Sequence, residues 1–224
     1  MDIGKLNAIQ NELKTNIHLT NGFHMSELSL VAGVDLAYWS ENKVDYCVCC
    51  IVVIDYNTKE VIEQVEYVGE VEFPYITGYL AFRELPFILK AVEQLKNIPD
   101  LYMFDGNGYL HSRHMGIASH ASFHLRKPTI GVAKTYLKIE NVDFTIPENV
   151  VGAYTDIIIN REVYGRALRT RVNVKPIFVS CGNWIDIETA TQITMHFVEK
   201  DSRLPITIRF ADLATHEARR KYYK

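Results

Sequence analysis

The sequence predicts an α/β fold in which a mixed central sheet is flanked by helices, within a single domain spanning residues 1–224. Three observations predict it. The apolar patterns run strand, strand, strand, helix, strand, helix, strand, an order that covers a sheet with helices on its faces. No linker, low-complexity tract or internal repeat divides the chain. With 48% apolar and 11% aromatic residues, its 224 positions supply one sizeable core.

Residues 1–22 place Ile3, Leu6, Ile9 and Leu13 at helical spacing and read as an N-terminal helix. Charges and amides run through the same stretch, which excludes a signal peptide or membrane span. Strands follow at 30–38, 45–55 and 60–70. The last two are joined by Tyr56-Asn57-Thr58-Lys59, whose Asn and Thr suit a tight turn. Glu60, Glu63, Glu66, Glu70 and Glu72 are expected on the far face of that strand pair. Pro74 ends the strand region. From Tyr79 to Leu95, apolar residues at 80, 82, 85, 88, 89, 92 and 95 fit a 3.6-residue period, so a helix is predicted with Glu84 in its early turns. A short buried strand, 101–104, leads to Asp105. A helix over 114–125, a strand over 128–133, antiparallel strands within 150–180, and helices over 187–198 and 208–221 complete the chain.

Three acids interrupt this apolar framework: Asp35 inside VAGVDLAY, Glu84 inside PYITGYLAFRE, and Asp105 at the end of LYMFD. If the first and fourth strands pair in parallel, Asp35 and Asp105 are neighbours. Burying an acid is costly unless something neutralises it. Converging carboxylates are commonly neutralised by a hard divalent cation, and such sites do chemistry on phosphates. Taken singly, each acid also fits a solvent-facing role, and Glu84 could pair with Arg83 or Lys90.

The net charge of −3 argues against a protein that coats nucleic acid, but its distribution is uneven. Gly106 to Ile139 contains no acid, while Arg113, Arg126, Lys127, Lys134 and Lys138 lie there. A second basic stretch holds Arg161, Arg166, Arg169, Arg171 and Lys175 against Glu162. A basic face beside an acidic metal site suits a nucleic-acid backbone that is gripped and then cut. His120 and His124 have zinc-ligand spacing without a third ligand and read as packing residues. Cys47, Cys49, Cys50 and Cys181 read as small buried residues of a cytoplasmic protein, or a nuclear one in a eukaryote.

The segments AGVDLAY (32–38), PYITGYLAFRE (74–84), DGNGYLHSRHMGIASH (105–120), IGVAKTYL (130–137), GRALRTRVNVKPIFVSCGNWIDIETA (165–190) and RLPITIRFAD (203–212) resemble the endonuclease V family, in order and over nearly the whole chain. The resemblance implies a ribonuclease H-like fold, Mg²⁺ or Mn²⁺ as cofactor, and a monomer acting on nucleic acid. The expected reaction cuts the second phosphodiester bond 3′ of a hypoxanthine nucleotide in DNA, RNA or both. It would use two ions roughly 4 Å apart and leave a 5′ phosphate and a 3′ hydroxyl. Residue by residue, it makes Asp35, Glu84 and Asp105 metal-binding catalytic groups, with Asp212 as the fourth. Lys134 and His111 would contact the scissile phosphate or its neighbour. Tyr75 would be the wedge that fills the gap left by the extruded base, and Arg83 would assist in substrate binding. Gly78, Gly106, Gly108 and Gly116 would let the backbone approach base and phosphate, with amides around 106–108 and 131–133 reading the hypoxanthine.

Four departures bear on substrate handling: Thr77 and Ser112 stand where the family commonly has proline, CGN (181–183) where it has PGH, and LPIT (204–207) where it has LPEP. Two alternatives stay open: a ribonuclease H-like nuclease without inosine selectivity, and a non-catalytic binder of inosine-containing nucleic acid.

Overall fold

In this computed structural model, which describes residues 2–223, the chain runs through α1 (Ile3–Lys14), β1 (Leu30–Glu41), β2 (Val44–Asp55), β3 (Val61–Glu70), α2 (Leu80–Val92), β4 (Leu101–Asp105), α3 (Ile117–Leu125), β5 (Thr129–Ala133), β6 (Tyr154–Ile159), β7 (Glu162–Leu168), β8 (Ile177–Asn183), α4 (Ile187–His196) and α5 (Ile206–Tyr222). The two end positions of the 1–224 domain, including the first of the predicted N-terminal helix, lie outside the described residues. All eight strands join one sheet in the order β3-β2-β1-β4-β5-β8-β7-β6. Its centre, β1-β4-β5, is parallel, and both flanks are antiparallel. The mixed sheet flanked by helices is thus present.

Alternation along the central strands divides the core into two layers. Val31, Val52 and Met103 face α4 and α5, packing with Ile193, Phe197 and Ile208. Ala32, Val34, Ile51 and Phe104 face α2 and α3, packing with Leu85, Ile88 and Ala118. Successive strand residues point to opposite faces, and with both faces covered the runs are continuously apolar. A third cluster, with Leu110, Ile157, Ile159 and Phe178, fills the β6–β8 end.

Several boundaries differ from expectation. β1 continues to Glu41 because Asn42 and Lys43, both at positive φ, close a two-residue hairpin into β2. The helix expected to reach 22 stops at Lys14. Beyond it the backbone of His18 bonds to the end of β8, donating to Asn183 Oδ1 (2.8 Å) and accepting from Trp184 (2.7 Å), so tertiary pairing outcompetes helix. α3 begins at Ile117, because His114 has a φ of 57°, which no α-helix holds. The acids of β3 do not share a face. Glu63 accepts from the backbone of Lys96 and Asn97, while Glu66 accepts from Lys221 and Tyr222 of α5, as strand positions three apart must.

The first turn of α5 lies directly on β1: a β-carbon added at Gly33 would stand 1.9 Å from the Thr207 carbonyl oxygen. All four cysteines are free and buried. Among the described residues no helix is long and apolar enough to cross a membrane.

Candidate active site

The parallel register of β1 and β4 ends at Val34 opposite Phe104, so the next residue on each strand, Asp35 and Asp105, emerge side by side. From above them α5 lowers Asp212. One carboxylate oxygen from each of these three residues lies within 4.8 Å of the others. Lys134 follows the last residue of β5, and its Nζ sits 2.6 Å from both Asp105 Oδ2 and Asp212 Oδ1. Glu84 enters from α2, is buried, and accepts a hydrogen bond from the Tyr38 hydroxyl (3.0 Å). The Thr215 hydroxyl, one turn beyond Asp212, contacts Asp35 Oδ2 (3.3 Å) and donates to the Asp212 carbonyl (2.8 Å).

The electrostatics follow from burial. Desolvation first, and then Asp105, push Asp35 up to about 7. Burial takes Glu84 up to about 8 despite the Tyr38 hydroxyl, with Asp35 and Asp105 adding to the rise. Burial also raises Asp105, against the opposing pull of Lys134. For Lys134 burial works against the charge, but Asp105 and Asp212 more than offset it and hold the ammonium above its ordinary value. Lys134 therefore faces Asp35, Asp105 and Asp212, with Glu84 buried nearby, so that carboxylate oxygens crowd a largely buried setting. That donor set fits a hard divalent cation such as Mg²⁺ or Mn²⁺, and the charge excess is what such a cation offsets.

Of the residues expected to bind substrate, Lys134 sits among the carboxylates, while Tyr75, Gly78 and His111 gather around a neighbouring loop. Tyr75 is 67% exposed. The Gly78 carbonyl, three residues on, accepts from Gln10 and Arg113. Arg83 turns inward, donating to the Phe73 carbonyl (2.5 Å) with its guanidinium 4.7 Å from the centre of the Tyr38 ring. His111 is buried, and burial followed by Arg113 lowers it to about 4, so the ring is neutral. Its Nδ1 accepts from the Arg113 backbone (3.2 Å), and its Nε2 lies 3.7 Å from where a β-carbon on Gly78 would stand, which places the ring against the foot of the Tyr75 loop. Gly106, Gly108 and Gly116 lie where the following loop folds on itself, Gly116 donating to the Gly108 carbonyl (3.0 Å). Two amides assigned to base reading are already engaged: Gly106 donates to Val132 (3.2 Å) and Gly108 to Ser180 Oγ (2.9 Å).

Four neighbours of the site escaped sequence reasoning. Tyr38 holds Glu84, Thr215 holds Asp35, His216 Nε2 lies 3.9 Å from Asp212 Oδ2, and Arg203 donates to the carbonyl of Lys134 (3.2 Å). Thr215 and His216 follow Asp212 by three and four residues, a helical spacing that could have found them.

A mixed sheet with aspartates on two adjacent parallel strands, completed by a carboxylate from the final helix, defines a protein of ribonuclease H-like fold, as in the solved structures it matches. The family model for endonuclease V matches residues 11–213. The chain is 63% identical over 219 residues to endonuclease V of Bacillus thuringiensis subsp. konkukian (strain 97-27), covering 98% of this chain and 93% of that protein. It superposes on the crystal structure of Bacillus subtilis endonuclease V with a TM-score of 0.96 at 56% identity, over 99% of this chain and 94% of that one. It also matches Ciona intestinalis endonuclease V in complex with a 24mer DNA containing an inosine followed by a ribo-adenosine, at a TM-score of 0.86 and 31% identity over 98% of each chain. The chain belongs to the endonuclease V family and is a nuclease.

Proposed function

We propose that this chain is a Mg²⁺- or Mn²⁺-dependent endonuclease that cuts the second phosphodiester bond 3′ of an inosine or deoxyinosine nucleotide, leaving a 5′ phosphate and a 3′ hydroxyl. It would act in the cytoplasm, in DNA repair or inosine-RNA processing. The observation that carries the reading is the convergence of Asp35, Asp105 and Asp212 within 4.8 Å, with Glu84 buried behind them. The inosine-containing DNA bound by the Ciona relative supports the substrate. Four buried free thiols suit a reducing compartment.

Asp35, Asp105, Glu84 and Asp212 would hold the divalent cation, which supplies charge neutralisation at the scissile phosphate and acidifies the attacking water. The chain's own groups do the rest. Tyr38 and Thr215 hold Glu84 and Asp35 in orientation, the role of outer-shell partners in metal sites. Lys134, kept protonated by Asp105 and Asp212, presents a cation to the phosphate oxygens as charge develops on them. His111, buried and neutral, offers a hydrogen bond rather than a charge. Tyr75 stacks in the gap left by the extruded base, a contact worth roughly 1–3 kcal/mol. Extrusion costs least for a mismatched or single-stranded base, which favours such sites.

The test is cleavage of labelled DNA and RNA oligonucleotides carrying one inosine or a guanosine control, by wild type and Asp35→Ala, with Mg²⁺ or Mn²⁺. The expected product is cut one nucleotide 3′ of the inosine nucleotide and is lost in the variant. Cutting that ignores inosine would overturn the selectivity, and binding without scission would overturn the chemistry.

A further inference from the structure

Helix α1 has one buried residue, and that residue is polar. Gln10 is fully buried, while Ile3 and Ile9 of the same helix are exposed. Surface helices ordinarily bury an apolar stripe, and a buried amide is retained only where both its ends find partners. Here both do. Gln10 Nε2 donates to the Gly78 carbonyl (3.1 Å), and its Oε1 accepts from Arg113 Nε (2.5 Å). Arg113 Nη2 donates to the same Gly78 carbonyl (2.7 Å), and the guanidinium lies 4.4 Å from the centre of the Tyr79 ring. The Tyr79 hydroxyl then donates to Asn7 Oδ1 (2.7 Å), back on α1. The ring of contacts closes around Gly78, whose φ of 83° is a backbone state that a side chain would strain.

What this clamp holds is the foot of the segment 74–78. Its tip, Tyr75, is exposed, and Thr77 has no ring to fix its φ as proline would. We propose that Gln10 and Arg113 are positioning residues for substrate recognition: they fix Gly78, aim Tyr75 before substrate arrives, and make α1 part of the recognition apparatus. The proposal rests on Tyr75 acting as the wedge. An aromatic held in place beforehand avoids the ordering cost that a free loop would incur on binding, so the clamp acts on KM rather than on the chemical step.

The experiment measures kcat and KM on an inosine-containing DNA oligonucleotide with Mg²⁺, for wild type, Gln10→Leu, Arg113→Met, Tyr75→Ala and the double variant Gln10→Leu/Tyr75→Ala. Gln10→Leu and Arg113→Met are expected to raise KM roughly 5- to 10-fold with kcat within about 2-fold, the size of one ordered side chain. In the Tyr75→Ala background Gln10→Leu is expected to add nothing, because its effect runs through Tyr75. An equal rise in KM in both backgrounds, or a fall in kcat instead, would overturn the clamp. So would an impaired Tyr75→Ala beside an unimpaired Gln10→Leu, and in that case the wedge reading survives. Tyr75→Ala indistinguishable from wild type would overturn the wedge and the clamp with it. Gln10 is buried, so thermal melting accompanies the kinetics, and Arg113→Met, at a partly exposed position, decides the matter where Gln10→Leu folds poorly.

Discussion

The carboxylate pocket and the Tyr75 loop are built on opposite plans. Asp35 and Asp105 leave adjacent parallel strands at matched positions, and Asp212 descends from a helix packed on the same sheet, so the backbone ladder itself sets their separations. Tyr75 stands on an exposed loop that side chains hold from below, through Gln10, Arg113 and Arg83. Chemistry that tolerates little displacement is carried by the scaffold. Recognition, in the function proposed, falls to a braced loop that meets a substrate of variable shape.

The pocket should also trade stability for function, whereas the loop should not. Asp35→Asn is expected to lower cleavage by at least the roughly 10²- to 10³-fold that one preorganised electrostatic group contributes. The same change should leave the melting temperature in metal-free buffer unchanged or raised, since burial and Asp105 both oppose the Asp35 charge. A clear fall in melting temperature would break the contrast. Next in size, Tyr38→Phe frees Glu84, and a Mg²⁺ titration of the cleavage rate should show affinity weakened about 10- to 100-fold, the usual cost of losing an outer-shell partner. Tyr75→Ala should reduce the preference for inosine over guanosine by the roughly 1–3 kcal/mol of one stacked base, with the Mg²⁺ titration unmoved.

A separate effect, on folding rather than on cleavage, is acid stability. Burial first, and then Arg113 for His111 and His124 for His120, lowers both histidines to about 4 from an ordinary 6.5. Between those two values the unfolded chain takes up protons that the folded chain refuses. Stability from these groups is therefore complete above pH 6.5 and falls as the pH drops towards 4, by up to about 3 kcal/mol per histidine. Asp35 and Glu84, raised to about 7 and about 8, act in the opposite sense, their contribution being lost as the pH rises. Urea midpoints at pH 7.5 and 4.5 for wild type and His120→Gln isolate one share: the variant should lose less on acidification, and an equal loss in both would refute the assignment.

The central strands were legible because an acid inside a short apolar run is conspicuous, and both Asp35 and Asp105 stand in such runs. The same logic located Glu84 on its helix. What escaped were side-chain partnerships between elements distant in sequence. Nothing local to Tyr38 announces Glu84, 46 residues away. Gln10 was hidden by its own helix, where the partly buried Leu6 and Leu13 flank it on the same face and the apolar spacing marked them rather than the amide between. The end of α1 was misplaced because the bonds that stop it run to β8, 165 residues further on. The basic stretches 106–139 and 161–175 were visible as composition, but Arg166 and Arg169 proved buried and internally bonded, so composition overstated the surface charge.

The contact between Gly33 and Thr207 extends beyond packing. Asp35 stands two positions beyond Gly33, and Asp212 five beyond Thr207. The spot where strand and helix touch is therefore also the contact that spaces two of the converging acids. Because a single methyl group there would collide with the Thr207 backbone, the distance between the acids is calibrated by the smallest side chain available. For mutation this makes Gly33 intolerant of any side chain, although it carries no functional group.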